Sequence, residues 1–132
     1  MKRSILLLLA ALALSGAVLA ADAPDPGKVV EATPPGPVDG ATAHRLVAAG
    51  VKVVDVRTPA EYAAGHVPGA VNVPYDEIGR RAEELGPPRT PLLLYCHSGR
   101  RAGIAVQTLK EKGYTRLYDL GAFEKWQRSE PR

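Results

Sequence analysis

Leu92-Leu93-Leu94-Tyr95 runs straight into Cys96-His97-Ser98-Gly99-Arg100-Arg101, and the reading of this stretch decides the fold. Four consecutive apolar side chains behind Pro91 are too few for a useful helix and suit a strand buried on both faces. Beyond the glycine-bearing turn, residues 101–112 read as a helix with Ile104, Ala105, Thr108 and Leu109 on its buried side and Gly113 as its stop. A strand that turns at once into a helix is the unit of a parallel sheet. In such sheets ligands collect beyond the carboxyl ends of strands, which is where Cys96 falls.

The same alternation extends in both directions. Upstream, residues 42–49 predict a helix ended by Gly50, and residues 51–56 (VKVVDV) a second buried strand rich in β-branched side chains. Residues 58–63 predict a short helix with Pro59 in its first turn. A loop at residues 65–69 and a short strand at 70–73 follow. Residues 76–85 predict a helix with Ile78, Ala82 and Leu85 on one side, broken by Gly86-Pro87-Pro88. Downstream, residues 116–120 predict a strand and 122–127 a last helix with Phe123 and Trp126 turned inward. Strands apolar on both faces, separated by helices, imply an α/β fold: a mainly parallel central sheet with helices on both faces.

Composition narrows the function classes. The 132 residues fit one domain, and with one Trp, one Phe and five Tyr the core must be aliphatic. The formal charge is +3, of which Lys2 and Arg3 supply two, so the body lacks the basic excess that nucleic-acid binding needs. One cysteine excludes an internal disulfide framework and a multi-cysteine zinc site. Three scattered histidines without a carboxylate at ligand spacing imply no metal, and nothing in the chain calls for a cofactor.

The start of the chain reads as an address. Lys2-Arg3 precedes an apolar run over residues 5–14, and Val18 and Ala20 supply small residues for cleavage after Ala20. This is the layout of a secretory signal peptide over residues 1–20, too short to remain as a spanning helix, so the expectation is export to a periplasm with no stable membrane insertion after cleavage. Residues 21–40 hold Pro24, Pro26, Pro34, Pro35 and Pro37 and read as an extended linker or an arm over the domain, with Val29-Val30 the one apolar pair able to pack. The folded domain is then residues 41–132.

Chemistry concentrates on Cys96. Loop amides, the partial positive charge of a helix N-terminus, and Arg100 and Arg101 all favour a thiolate there, and a thiolate is the nucleophile. Gly99 lets successive N–H groups converge into an anion nest. Two arginines at a helix start are locally unfavourable unless an anion is to be met.

Three motifs resemble the rhodanese (thiosulfate sulfurtransferase) family: Asp55-Val56-Arg57-Thr58-Pro59-Ala60-Glu61-Tyr62, the run Gly65-His66-Val67-Pro68-Gly69-Ala70-Val71-Asn72-Val73-Pro74, and Tyr95-Cys96-His97-Ser98-Gly99-Arg100-Arg101-Ala102. With the leader, the chain resembles the small single-domain periplasmic members. The resemblance implies a sulfane-sulfur transfer. Cys96 would take sulfur from a small anionic donor such as thiosulfate, forming a persulfide, and a thiol or cyanide acceptor would remove it. It also implies that the amides of His97, Ser98, Gly99, Arg100 and Arg101 surround that persulfide, with Arg101 the first candidate to face the donor's sulfonate and Arg100 the second. A persulfide carrier or sensor serving a protein partner is the alternative. Dual-specificity phosphatases and arsenate reductases of related loop design place their arginine one residue later, where this chain has Ala102, so they rank below.

Within the resemblance, Arg57 and Glu61 are expected to form a structural ion pair rather than an acid–base set with Asp55. His66 reads as a loop-bracing hydrogen bonder, His97 as an aid to proton transfer that the family does not require, and His44 as solvent-facing. One departure stands out: many rhodaneses have Gly-Gly before the last helix, whereas this chain has Gly121-Ala122, and the added Cβ is expected to narrow the pocket.

Overall fold

The computed structural model describes residues 25–130 of the chain. The signal segment at 1–20 lies outside the described residues. Five strands form one sheet in the order β1-β5-β4-β2-β3, every neighbouring pair parallel. They are β1 (Gly36–Pro37), β2 (Lys52–Asp55), β3 (Val71–Asn72), β4 (Leu92–Cys96) and β5 (Leu117–Ala122). The helices are α1 (Pro26–Ala32), α2 (Gly40–Ala48), α3 (Pro59–Ala64), α4 (Ile78–Arg81), α5 (Arg100–Glu111) and α6 (Phe123–Arg128).

Central β4 is buried at all of its positions, as its unbroken apolar run requires. Alternate side chains serve opposite faces. Leu92, Leu94 and Cys96 join Val54, Val56, Ile78, Ala105 and Leu109 under α4 and α5. Leu93 and Tyr95 join Val53, Leu46, Tyr118, Leu120 and Trp126 under α2 and α6. Each fully buried leucine contributes roughly 1.5–3 kcal/mol relative to exposure, so the two-sided core fixes the register of β4 and hence the place where its chain leaves the sheet.

Several elements differ from the sequence expectation. The part of the Pro-rich stretch that is described is not an extended linker. Asp25 caps α1 through the Gly27 amide, Pro26 occupies the first turn where its missing N–H costs nothing, and Val29 and Val30 pack on the α2/α6 side of the core. The Tyr118 hydroxyl lies 3.2 Å from the Val30 carbonyl and 3.0 Å from that of Thr33, and β1 adds an edge to the sheet beside β5. The helix expected at 76–85 is α4 followed by a 3-10 turn, Ala82–Leu85. On α5 the buried residues are Ala102, Ala105, Val106 and Leu109, whose spacing defines the stripe, while Ile104 is 40% exposed rather than buried. His44 is not simply solvent-facing: its ring stacks on Trp126 at 3.5 Å and its Nε2 lies 3.0 Å from the Trp126 carbonyl, tying α2 to α6.

The candidate active site at the carboxyl end of β4

The chain leaves the sheet outward from β2 to β3 in one direction and from β4 to β5 in the other. The crevice between the carboxyl ends of β2 and β4 is therefore the topological switch point. Cys96 ends β4 there, and Asp55 ends β2 directly beside Tyr95.

The turn after Cys96 curls back under the start of α5. Gly99 has φ 103°, a left-handed conformation that glycine adopts freely, and its amide donates to Cys96 Sγ at 2.9 Å. Helices α1, α2 and α3 carry side-chain caps from Asp25, Asp39 and Thr58, but α5 has none. The orphan donors of its first turn are left for an acceptor held by the turn, and the helix end adds partial positive charge. His97, Ser98 and Arg100 are exposed, Gly99 and Arg101 half-buried. Cys96 itself is 0% exposed, so the thiol is not at an open surface.

The two arginines have different surroundings. Arg101 makes a bidentate pair with Glu61 of α3, Nη1 to Oε1 at 2.7 Å and Nη2 to Oε2 at 2.9 Å. That pair holds the Glu61 carboxyl down at about 2, with Thr58 hydrogen bonds adding to the effect and partial burial opposing it. Arg101 is pushed further above the ordinary guanidinium range, by Glu61 first and to a lesser extent by Cys96 and Tyr75. Among the described residues, Arg100 has no carboxylate partner.

The expected Arg57–Glu61 pair is not formed. Arg57 instead turns inward and binds Asp55, with Nη2 to Oδ2 at 2.6 Å and Nε to Oδ1 at 3.0 Å. The reason is distance and burial. Asp55 is 0% exposed at the strand end and needs a cation, while Glu61 faces out to Arg101 and to its own cap partner Thr58. The Tyr95 hydroxyl donates to Asp55 Oδ2 at 2.8 Å and accepts the Val67 amide at 3.0 Å. Burial drives the Tyr95 pKa up, which keeps this donor protonated. Arg57 also reaches the Gly65 carbonyl at 2.7 Å and lies over the Phe123 ring at 4.8 Å. His66 braces the same loop, stacking on Tyr62 at 3.7 Å with Nδ1 2.8 Å from the Tyr62 carbonyl.

Strand β5 completes the surround. A register irregularity opposite Leu94/Tyr95 sets Gly121 against Tyr95 and Ala122 against Cys96. The close approach to the turn is made by Gly121, whose Cα would lie 3.6 Å from a Cβ placed on Gly99. Ala122, the departure noted in the sequence, instead lines a cavity of about 630 Å³ with His97, Ser98, Phe123, Glu124 and Gln127. Neither the Asp55–Tyr95 link nor the Glu61–Arg101 pair is visible in the sequence, since each joins residues 40 positions apart.

The fold and this turn place the chain in a known class: it belongs to the rhodanese-like domain family, whose model matches residues 41–129. Thiosulfate sulfurtransferase PspE of Escherichia coli (strain K12) is 36% identical over 72 residues, 54% of this chain and 69% of that protein. A protein named Sulfurtransferase in Allochromatium vinosum is 39% identical over 79 residues, 59% of this chain and 73% of that protein. The structure of the human single-domain sulfurtransferase TSTD1 superimposes with a TM-score of 0.63 at 27% identity, covering 75% of this chain and 99% of that one. The chain spans 60% and 37% of the length of two Bacillus subtilis relatives that it also matches.

Proposed function

We propose that this chain moves a sulfane sulfur from thiosulfate, or a donor of like chemistry, to a thiol or cyanide by way of a Cys96 persulfide. The observation that carries the reading is the Gly99 amide donating to Sγ at the uncapped start of α5. Backbone donors already in place stabilise developing negative charge without reorganisation.

In the first half-reaction the Cys96 thiolate attacks the outer sulfur of thiosulfate. The Cys96 S–S bond forms, the donor's S–S bond breaks, and its electron pair leaves with sulfite. In the second, the acceptor takes the outer sulfur and the pair returns to Cys96. The sequence reading gave the donor-facing cation to Arg101 first. Engagement of both its Nη atoms by Glu61 favours Arg100 for that task and leaves Arg101 to hold the turn in place. Cys96 is 0% exposed, so its surroundings must open for the donor to enter.

Mass spectrometry of protein treated with thiosulfate tests the reading. The expected result is a gain of one sulfur mapped to Cys96, followed by steady thiocyanate formation when cyanide is added, both lost in Cys96→Ser. Absence of the added sulfur overturns it. Stoichiometric loading without turnover would instead establish the persulfide carrier reading, which the Bacillus subtilis relative YrkF, provisionally named a sulfur carrier, supports.

Export belongs to the same proposal. Residues 1–20 read as a signal peptide and the working compartment as the periplasm; secreted protein whose sequence begins at Ala21 is the expected product. Among the described residues no helix is long and apolar enough to cross a membrane.

A further inference from the structure

Strand β5 falls out of step with β4 at one residue. Leu94 stands opposite Asp119, but Tyr95 stands opposite Gly121 and Cys96 opposite Ala122, so Leu120 is the extra residue. Carried on unbroken, the first pairing would set Leu120 against Tyr95 and Gly121 against Cys96. The insertion instead brings Gly121, at a left-handed φ of 78°, beside the cysteine turn. Its Cα lies 3.6 Å from the place a Cβ on Gly99 would take, so two backbones without side chains meet there. A displacement of Gly121 is therefore passed directly to Gly99, whose amide holds Cys96 Sγ.

Asp119 stands at the break. Its neighbours Tyr118 and Leu120 belong to the α2/α6 side of the core, so its side chain points to the side of Leu94, Cys96 and α5. Oδ1 is buried and, among the described residues, has no hydrogen-bond partner. Burial pushes the carboxyl above its ordinary value, while hydrogen bonding from the Gly121 amide acts against this, as do Lys125 of α6 and Lys110 of α5. A half-buried carboxylate with one idle oxygen is a poor filler beside Leu94, where an apolar side chain would leave nothing unpaired. Its other oxygen does what no apolar side chain can: it accepts the amide two residues on, which is how Asp and Asn side chains turn a chain locally.

Resting on the proposed sulfur transfer for its effect on rate, we infer that Asp119 is a positioning residue. Its carboxylate turns β5 at Leu120, sets Gly121 beside Gly99, and through that contact keeps the Gly99 amide on Cys96 Sγ.

Two variants separate the hydrogen bond from the charge. Asp119→Asn keeps an oxygen for the Gly121 amide, and Asp119→Leu, of similar size, keeps none. Both remove the negative charge that faces Lys110 and Lys125. Urea melts first establish that each variant is folded at the assay condition; if Asp119→Leu is not, Asp119→Ala takes its place. Amide hydrogen exchange followed by NMR needs no sulfur donor. Gly121 and Gly99 are expected to exchange about tenfold faster or more in Asp119→Leu than in Asp119→Asn, with the amides of β2 unchanged. With thiosulfate and cyanide, Asp119→Leu is expected to lose about tenfold in kcat with KM within about twofold of the parent, and Asp119→Asn to keep both within about twofold. Equal exchange at Gly121 and Gly99 in the two variants overturns the inference. Faster exchange with kcat unchanged overturns it too, since Asp119 would then serve the fold alone. A parent protein that takes no sulfur from thiosulfate defeats the proposed function instead, and the exchange rates still decide the placement of the turn by Asp119.

Discussion

Arg101 and Glu61, 40 residues apart in sequence, are joined by two parallel hydrogen bonds of 2.7 and 2.9 Å that clamp the end of the cysteine turn to α3. A forked guanidinium gripping a carboxylate fixes direction as well as distance. The first turn of α5 therefore cannot rotate without breaking the pair, and the arginine's charge is largely answered before any substrate arrives.

The two arginines should consequently fail in different ways. Arg100→Ala is expected to raise the KM for thiosulfate several-fold with kcat little changed, and to flatten the dependence on ionic strength. Arg101→Ala frees the turn and is expected to lower kcat. Steady-state kinetics across a salt series separates them. A KM effect confined to Arg101→Ala would return the donor contact to Arg101.

The same pair sets an acid limit on stability. Glu61 titrates at about 2 when folded against an ordinary 4.5, so between those values the unfolded chain binds the extra proton. Stability from this group is fully present above about pH 4.5 and is lost as pH falls toward 2. With Glu61 one-third exposed, the share is about 1 kcal/mol or less after screening. Urea unfolding from pH 5 down to about 2.5 should show Glu61→Gln losing less stability than the parent over that window. Parallel curves would assign the acid sensitivity elsewhere.

The sheet and the cysteine turn at its carboxyl end were legible in the chain because they rest on local signals. Four apolar residues before Cys96 and the glycine at position 99 suffice to write strand, turn and helix. What the sequence did not show depends on distant partners. In the sequence Arg57 reads as the partner of Glu61, and the burial of Asp55 at the strand end turns it inward instead. Pro26 looks like a helix breaker until Asp25 is seen to cap the turn it starts. Ile104 looks like core until Ala102, Ala105, Val106 and Leu109 define the buried stripe. The burial of Cys96 is likewise a tertiary property.

The buried Asp55–Arg57 pair predicts a large, asymmetric cost. Arg57→Met strands a carboxylate at 0% exposure and is expected to cost about 3–5 kcal/mol. Asp55→Asn leaves a guanidinium that still reaches the Gly65 carbonyl and is expected to cost less. The double variant should be less destabilised than the two singles combined, a coupling that denaturant melts of all four proteins measure. Simple additivity would mean that the pair contributes only through its separate contacts to Tyr95 and Gly65.

Covering of the Cys96 sulfur makes its reactivity a report on the turn. With Cys96 at 0% exposure, a thiol reagent gains access only when the structure around it opens. Alkylation of the folded protein by iodoacetamide should therefore run well below the rate for the urea-unfolded chain, and a bulky maleimide should be slowed more than iodoacetamide. Gly99→Ala forces a Cβ into a φ of 103° although the space beside Gly121 is adequate, so the cost is conformational, about 1–2 kcal/mol. That strain opens the turn and withdraws the amide from Sγ. The variant is expected to alkylate faster and to transfer sulfur more slowly while its urea melt still shows a folded protein at the assay condition, since unfolding alone would also speed alkylation and abolish turnover. Alkylation of the native protein at the unfolded rate would show that the turn is no barrier and remove the need for it to move.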